Sequence, residues 1–125
     1  MYRVNVERHF DAAHYLRGYR GKCENLHGHR YRVAVRMKVS ATDETGLAYD
    51  FTRLKKEVDR LLERYDHTCL NEVEPFGEIN PSAENIARTL YCGLESALGK
   101  LPDGILLDAV TVWESPDSWV EYKPD

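Results

Sequence analysis

The sequence is short of cysteine. There are three in 125 residues, Cys23, Cys69 and Cys92, with no CxxC pair and no even framework, which argues against a disulfide scaffold and for a reducing, cytoplasmic setting. Long apolar runs are missing too. No stretch approaches the roughly 20 residues that span a bilayer, and the first residues, MYRVNVER, have no signal-peptide core, so neither a membrane anchor nor export is expected. There is no internal repeat, no low-complexity run and no linker rich in Ser, Gly or Pro. Nor does charge of one sign dominate: 17 Lys and Arg stand against 21 Asp and Glu, a net of −4, which excludes a general nucleic-acid partner. The length predicts one domain, 1–125, with a real core but too little mass to enclose a large active site alone. A site shared between subunits is therefore expected.

What is present is periodic. Tyr2, Val4 and Val6 alternate with Arg3, Asn5 and Glu7, the pattern of a half-buried strand that runs on to Phe10. From His27 to Val39 the odd positions read His, His, Tyr, Val, Val, Met, Val, and Arg30, Arg32, Arg36 and Lys38 fall on the even ones. That is a long strand with one apolar and one basic face, the basic one suited to solvent or to a channel. Phe51, Leu54, Val58, Leu61, Leu62 and Tyr65 then recur at helical steps after Asp50 or Thr52 as cap. A second helix is predicted to start at NPSAE, with Asn80 as cap and Pro81 in the first position, its inward stripe carrying Ala83, Ile86, Ala87, Leu90, Tyr91, Leu94, Ala97 and Leu98. Ile105–Trp113 and Trp119–Lys123, broken by Ser115-Pro116-Asp117, read as a closing hairpin. The order ββααββ predicts an α+β fold, an antiparallel four-stranded sheet with both helices on one face.

Chemistry concentrates in CENLHGH, residues 23–29. On an extended segment His27 and His29 leave the same face, and Gly28 leaves the other bare. With His14, reached from FDAAH, they form a three-histidine set with one coordination position open, the pattern of a catalytic zinc. Cys23 is placed to be a fourth ligand or a reactive thiol. Asp66-His67, at the end of the first helix, is an acid and imidazole pair that suits either a surface or a catalytic role. Glu114 stands where a strand meets its turn, exposed or aimed into a cleft. Arg17, Arg20 and Lys22, in a glycine-containing loop, are either solvated or available to an anionic group.

Six segments in order, FDAAH, CENLHGH, GLAYDFTRLK, YDHTCLN, NPSAEN and VWESP, give the chain a specific resemblance to the 6-pyruvoyltetrahydropterin and 6-carboxytetrahydropterin synthase superfamily over nearly its whole length. The resemblance implies a tunnelling fold in which trimers close a barrel and two trimers stack as a hexamer, with active sites between subunits. It implies zinc on His14, His27 and His29, a catalytic thiol at Cys23, a catalytic pair at Asp66 and His67, and a pterin-anchoring carboxylate at Glu114. The cysteine four residues before His27 looks like the bacterial carboxy branch of 7-deazaguanine (queuosine) biosynthesis, with Glu24 standing next to it. The substrate implied is 7,8-dihydroneopterin triphosphate, converted to 6-carboxy-5,6,7,8-tetrahydropterin with loss of acetaldehyde and triphosphate. The alternatives are pyruvoyl-branch chemistry on the same substrate, a pterin-binding protein without catalysis, and a closed four-ligand metal domain that includes Cys23. Tyr65, where the family prefers leucine, and Ser82, where it often has threonine, depart from the pattern without touching a role.

Overall fold

A computed structural model describes residues 1–21 and 24–125. Lys22 and Cys23, both candidates from the sequence, lie outside the described residues. The elements are β1 (Tyr2–His14), β2 (His27–Val39), α1 (Phe51–Leu62), β3 (Thr68–Cys69), α2 (Ala83–Leu98), β4 (Ile105–Ser115) and β5 (Ser118–Tyr122). A 3-10 turn, Leu70–Glu72, follows β3.

Among the described residues the sheet has five strands in the order β3-β1-β2-β4-β5, and it is mixed. This corrects the expected four-stranded antiparallel sheet. The four long strands do pair antiparallel, but the chain leaving α1 turns back along the end of β1, where Thr68 and Cys69 run parallel to Ala12 and Ala13. A two-residue pairing made by a turn has no periodicity of its own, so it leaves no alternation in the sequence.

The alternation read from the sequence decides the layers. Val4, Val6, Phe10 and Ala12 of β1 and Tyr31, Val33, Val35, Met37 and Val39 of β2 are buried on one face. They share a core with Leu54, Val58 and Leu62 of α1 and Ile86, Ala87, Leu90 and Leu94 of α2. Burying this one face under both helices supplies the main stabilisation. Asp50 caps α1 by accepting the Thr52 N–H at 2.9 Å. Phe51, placed on the apolar stripe by sequence, is instead exposed at the helix start.

For α2 the cap is Ser82, accepting the Asn85 N–H at 3.2 Å, and not Asn80. Asn80 is engaged elsewhere: its side chain accepts the Arg17 N–H and donates to the Arg17 carbonyl, both at 2.8 Å. Asn71 does the same to Tyr15, both bonds at 3.0 Å. Each amide thus takes the place of a missing neighbour strand for the chain that leaves β1. Arg17 is spent on structure, donating to the carbonyls of Phe76 at 2.8 Å and of Ile79 and Asn71 at 3.4 Å. Its suggested role in holding an anion is therefore replaced by a structural one.

Two irregularities in β4 decide where Glu114 points. The register against β2 shifts between Arg36 and Met37, where Ala109 and Leu107 are the paired residues and Asp108 is extra. Strict alternation from buried Leu107 would send Glu114 to the far face. The extra residue reverses the phase, so that Val110, Val112 and Glu114 share the helix side with Leu107. Asp108 itself is 3% exposed and accepts from Arg36 at 2.6 Å and from Lys123 at 3.1 Å. Burial pushes its carboxyl up, but these two cations outweigh that and hold it below its ordinary range. The second shift lies between Trp113 and Ser115, leaving Glu114 unpaired with β5 at the sheet's end.

Candidate metal centre

His14 and His27 face each other across β1 and β2, and His29 stands opposite Ala12. All three point to the helix side, continuing the buried face beyond Tyr31, with Glu114 arriving from β4. The His14 Nε2 lies 3.1 Å from His27 Nε2 and 2.9 Å from a Glu114 carboxylate oxygen, and the same oxygen is 3.2 Å from His29 Nε2. One donor atom from each of the four side chains lies within 4.8 Å of every other.

The opposite edges of the rings fix which nitrogens are available. His14 Nδ1 is 2.7 Å from the Pro81 carbonyl, and His27 Nδ1 is 2.6 Å from that of Asn25. A carbonyl only accepts, so both Nδ1 atoms carry hydrogen, and the neutral rings then turn Nε2 lone pairs on one another and on a carboxylate. His29 Nε2 is shielded from solvent and, among the described residues, makes no well-aligned hydrogen bond, although the Glu114 oxygen is near it. Positive charge at the centre of these atoms reconciles them. A divalent cation supplies that charge to all four at once, and imidazole with carboxylate is a donor set suited to zinc-like ions. Burial keeps His29 below its ordinary pKa, against the pull of Glu114, which favours the neutral, ligating ring. The contact with His14, against burial and with His29 and His27 alongside, holds Glu114 below its usual range, so it is a carboxylate.

Tyr31 lies beneath the cluster, fully buried, stacked on Phe10 at 4.8 Å and edge-on to His14 at 5.8 Å and His29 at 5.6 Å. It closes the inner side against water. A cleft of about 460 Å³ is lined by Arg30, Arg32 and Trp113 of the opposite sheet face and by His29 and Glu114 at the strand ends, a size that accommodates a small organic ligand.

Asp66 and His67 form a second, separate group. Asp66 accepts from the Asp11 N–H at 2.8 Å and lies 2.9 Å from His67 Nδ1. The Asp11 amide and the His67 ring hold the Asp66 carboxyl below its ordinary range despite partial burial. His67 takes a left-handed backbone, φ 60°, and its N–H donates to the Asp11 carbonyl at 2.6 Å. This conformation is costly for a residue with a Cβ, and the contacts to Asp11 maintain it. The imidazole is exposed and, among the described residues, touches none of the four cluster side chains. Sequence reasoning missed Pro81, Asn25, Asn71 and Asn80 as the groups that orient the site. The signal available was that NPSAEN and YDHTCLN each contain an asparagine outside any helix stripe.

Fold and site together define a class: a two-helix, sheet-backed chain whose strand ends present three histidines and a carboxylate able to bind a metal ion. A model of the family described as 6-pyruvoyl tetrahydropterin synthase matches residues 3–125, and the chain belongs to that family. A 6-carboxy-5,6,7,8-tetrahydropterin synthase of Bacillus subtilis is 33% identical, with 98% of this chain and 86% of that protein covered. A dihydroneopterin monophosphate aldolase of Pyrococcus furiosus is also 33% identical, over 97% of this chain and 96% of its own length. Among solved structures, the 6-pyruvoyl tetrahydropterin synthase of Caenorhabditis elegans superposes with a TM-score of 0.84 at 32% identity, covering 100% of this chain and 98% of the other. No helix among the described residues is long and apolar enough to cross a membrane.

Proposed function

We propose that the chain is a zinc-dependent lyase that converts 7,8-dihydroneopterin triphosphate to 6-carboxy-5,6,7,8-tetrahydropterin, releasing acetaldehyde and triphosphate, in 7-deazaguanine (queuosine) biosynthesis. The observation that carries the reading is the convergence of His14, His27 and His29 Nε2 beside the Glu114 carboxylate at a cleft of ligand size. The relatives described as 6-carboxy-5,6,7,8-tetrahydropterin synthases support the reaction. Zinc on the three histidines would supply a Lewis acid for the side-chain hydroxyls of the substrate without changing redox state. Cys23, four residues before His27, serves as the base that takes a proton from carbon. His67, held in place by Asp66, carries a proton on the opposite side. The decisive experiment is to incubate the zinc-loaded protein with dihydroneopterin triphosphate and identify the products. Acetaldehyde with a 6-carboxy pterin supports the reading, and a pterin that keeps all three side-chain carbons transfers the chain to pyruvoyl chemistry.

Glu114 is the residue whose role needs separating, since it touches the histidines and also lines the cleft. As pterin anchor it accepts two hydrogen bonds from the ring N–H and amino edge. Glu114→Gln then removes one acceptor and weakens pterin binding by about 1.5–3 kcal/mol while zinc stays bound. Calorimetric titration with a pterin, paired with elemental analysis, checks this. Zinc lost with the substitution makes Glu114 a ligand instead.

The working form is a tunnelling-fold hexamer in the cytoplasm, with active sites between subunits. Two features favour it. The edges of β5 and of β1 from Tyr2 to Asp11 have no partner strand among the described residues, and open edges invite pairing with further copies. His67 is also exposed and away from the histidine cluster of its own chain, so a neighbour's cluster is what it would serve. Light scattering at micromolar concentration is expected to give six chains, and a monomer refutes the assembly.

A further inference from the structure

We propose that Arg30 and Arg32 form a subsite for a phosphate-type anion in the cleft that reaches His29 and Glu114. The inference rests on the function proposed above, because it places the phosphate end of the substrate. Three other arginines are already engaged. Arg36 is committed to Asp108 at 2.6 Å and Glu121 at 2.9 Å, Arg8 to Asp59 at 2.9 Å, and Arg17 to three carbonyls. Among the described residues, Arg30 and Arg32 have neither a carboxylate in ion-pair range nor a side-chain hydrogen-bond acceptor, and both line the same cleft. Arg32 is also held in place. Its guanidinium carbon lies 3.7 Å from the centroid of the Trp113 ring, and its Nε is shielded from solvent without a hydrogen-bond partner among the described residues. A cation fixed flat on an aromatic ring keeps its donor fork pre-organised, which lowers the entropy cost of holding a planar or tetrahedral oxyanion.

Of the cross-strand neighbours, Asp11 stands opposite Arg30 without an ion pair between them. His9 is the cross-strand neighbour of Arg32 and lines the cleft as well. The carboxylate in the cleft, Glu114, is turned towards His14 and His29, 2.9 and 3.2 Å from their Nε2 atoms. Gly28 completes the opening. Its φ is not positive, and a Cβ there would meet only the Ala12 carbonyl at 3.9 Å, so nothing among the described residues requires glycine. What its missing side chain does provide is open space beside the arginines, on the sheet face opposite the histidines. Two guanidiniums with an adjacent imidazole match the several oxygens of a polyphosphate. The same chemistry belongs to the tail of the substrate and to free polyphosphate.

The probe is inorganic tripolyphosphate, titrated calorimetrically into the zinc-loaded protein. Arg30→Gln and Arg32→Gln are each expected to weaken its binding roughly tenfold or more. Lys38→Gln, the same charge change on the same sheet face but outside this cleft, is expected to leave it within about twofold. Equal losses in all three variants, or none in the arginine variants, overturn the subsite. Should Arg32→Gln fail to fold because it stacks on Trp113, exposed Arg30 carries the test alone. Dihydroneopterin, which has no phosphate, keeps this apart from the proposed function. Arginine-dependent tripolyphosphate binding without dihydroneopterin binding upholds the subsite and removes the pterin reading. Dihydroneopterin binding with arginine-independent tripolyphosphate binding does the reverse. Competition between tripolyphosphate and the substrate assigns the subsite to the substrate's tail, and noncompetitive inhibition assigns it to a free anion.

Discussion

Substituting His29 with alanine is expected to strip the protein of its divalent metal and to abolish turnover, while the fold survives. Three imidazoles are the strongest donors in the cluster, and losing one leaves two nitrogens and a carboxylate. Disturbing even the groups that orient metal ligands typically costs 10–100-fold in affinity, and removing a ligand costs more. The fold is spared because His29 stands beyond the end of the packed core, partly exposed, with Tyr31 and Val33 still buried behind it. His27→Ala is expected to behave alike, whereas His14→Ala also empties a fully buried position and is less diagnostic. Elemental analysis together with circular dichroism checks the pair. Full metal content in both variants would falsify the ligand assignment.

Cys23→Ala separates base from ligand, and the effect on turnover should be large. If the three histidines and the nearby carboxylate hold the metal, the variant keeps its zinc and its assembly, and loss of the base lowers turnover roughly 10²–10⁴-fold. Zinc content and turnover are read on one preparation. Metal lost in proportion to activity makes Cys23 a ligand, and activity kept with metal passes the role to Glu24 or His67. His67→Ala is the natural companion. Its imidazole is exposed and outside the cluster, so its loss should reduce turnover without touching zinc. In hexamers mixed from Cys23→Ala and His67→Ala chains, activity should partly return if one chain's His67 serves another chain's cluster. Its failure to return would place both groups in one chain.

Much of the architecture was legible because it is periodic. A two-residue alternation over Tyr2–Phe10 and His27–Val39 states which side chains face the helices, and the same alternation carries His14, His27 and His29 onto that face. The helices were legible for the same reason, and Asp50 as cap was a local signal. The cap of α2 was not. Asn80 has the right chemistry for it, but its amide is used by Arg17, 63 residues away, and Ser82 takes the role. The basic row on β2 is present as a row, yet its members differ. Arg36 is neutralised by Asp108 and Glu121, and Arg32 is stacked on Trp113, because those partners come from strands that are distant in sequence.

The sequence by itself therefore determined the two layers, the identity of three converging histidines and the family motifs that surround them, since each depends on residues near one another along the chain. The tertiary structure alone decided what completes and orients the site. The bulge at Asp108 reverses the phase of β4 and delivers Glu114 to the histidines. The Pro81 carbonyl, just before the cap of α2, sets which nitrogen of His14 carries hydrogen. The parallel pairing of Thr68 and Cys69 with β1 seats Asp66 and His67 beside Asp11. A register shift or a backbone carbonyl contributes no residue type or spacing of its own. Such features arise only when strands separated by tens of residues are brought into contact.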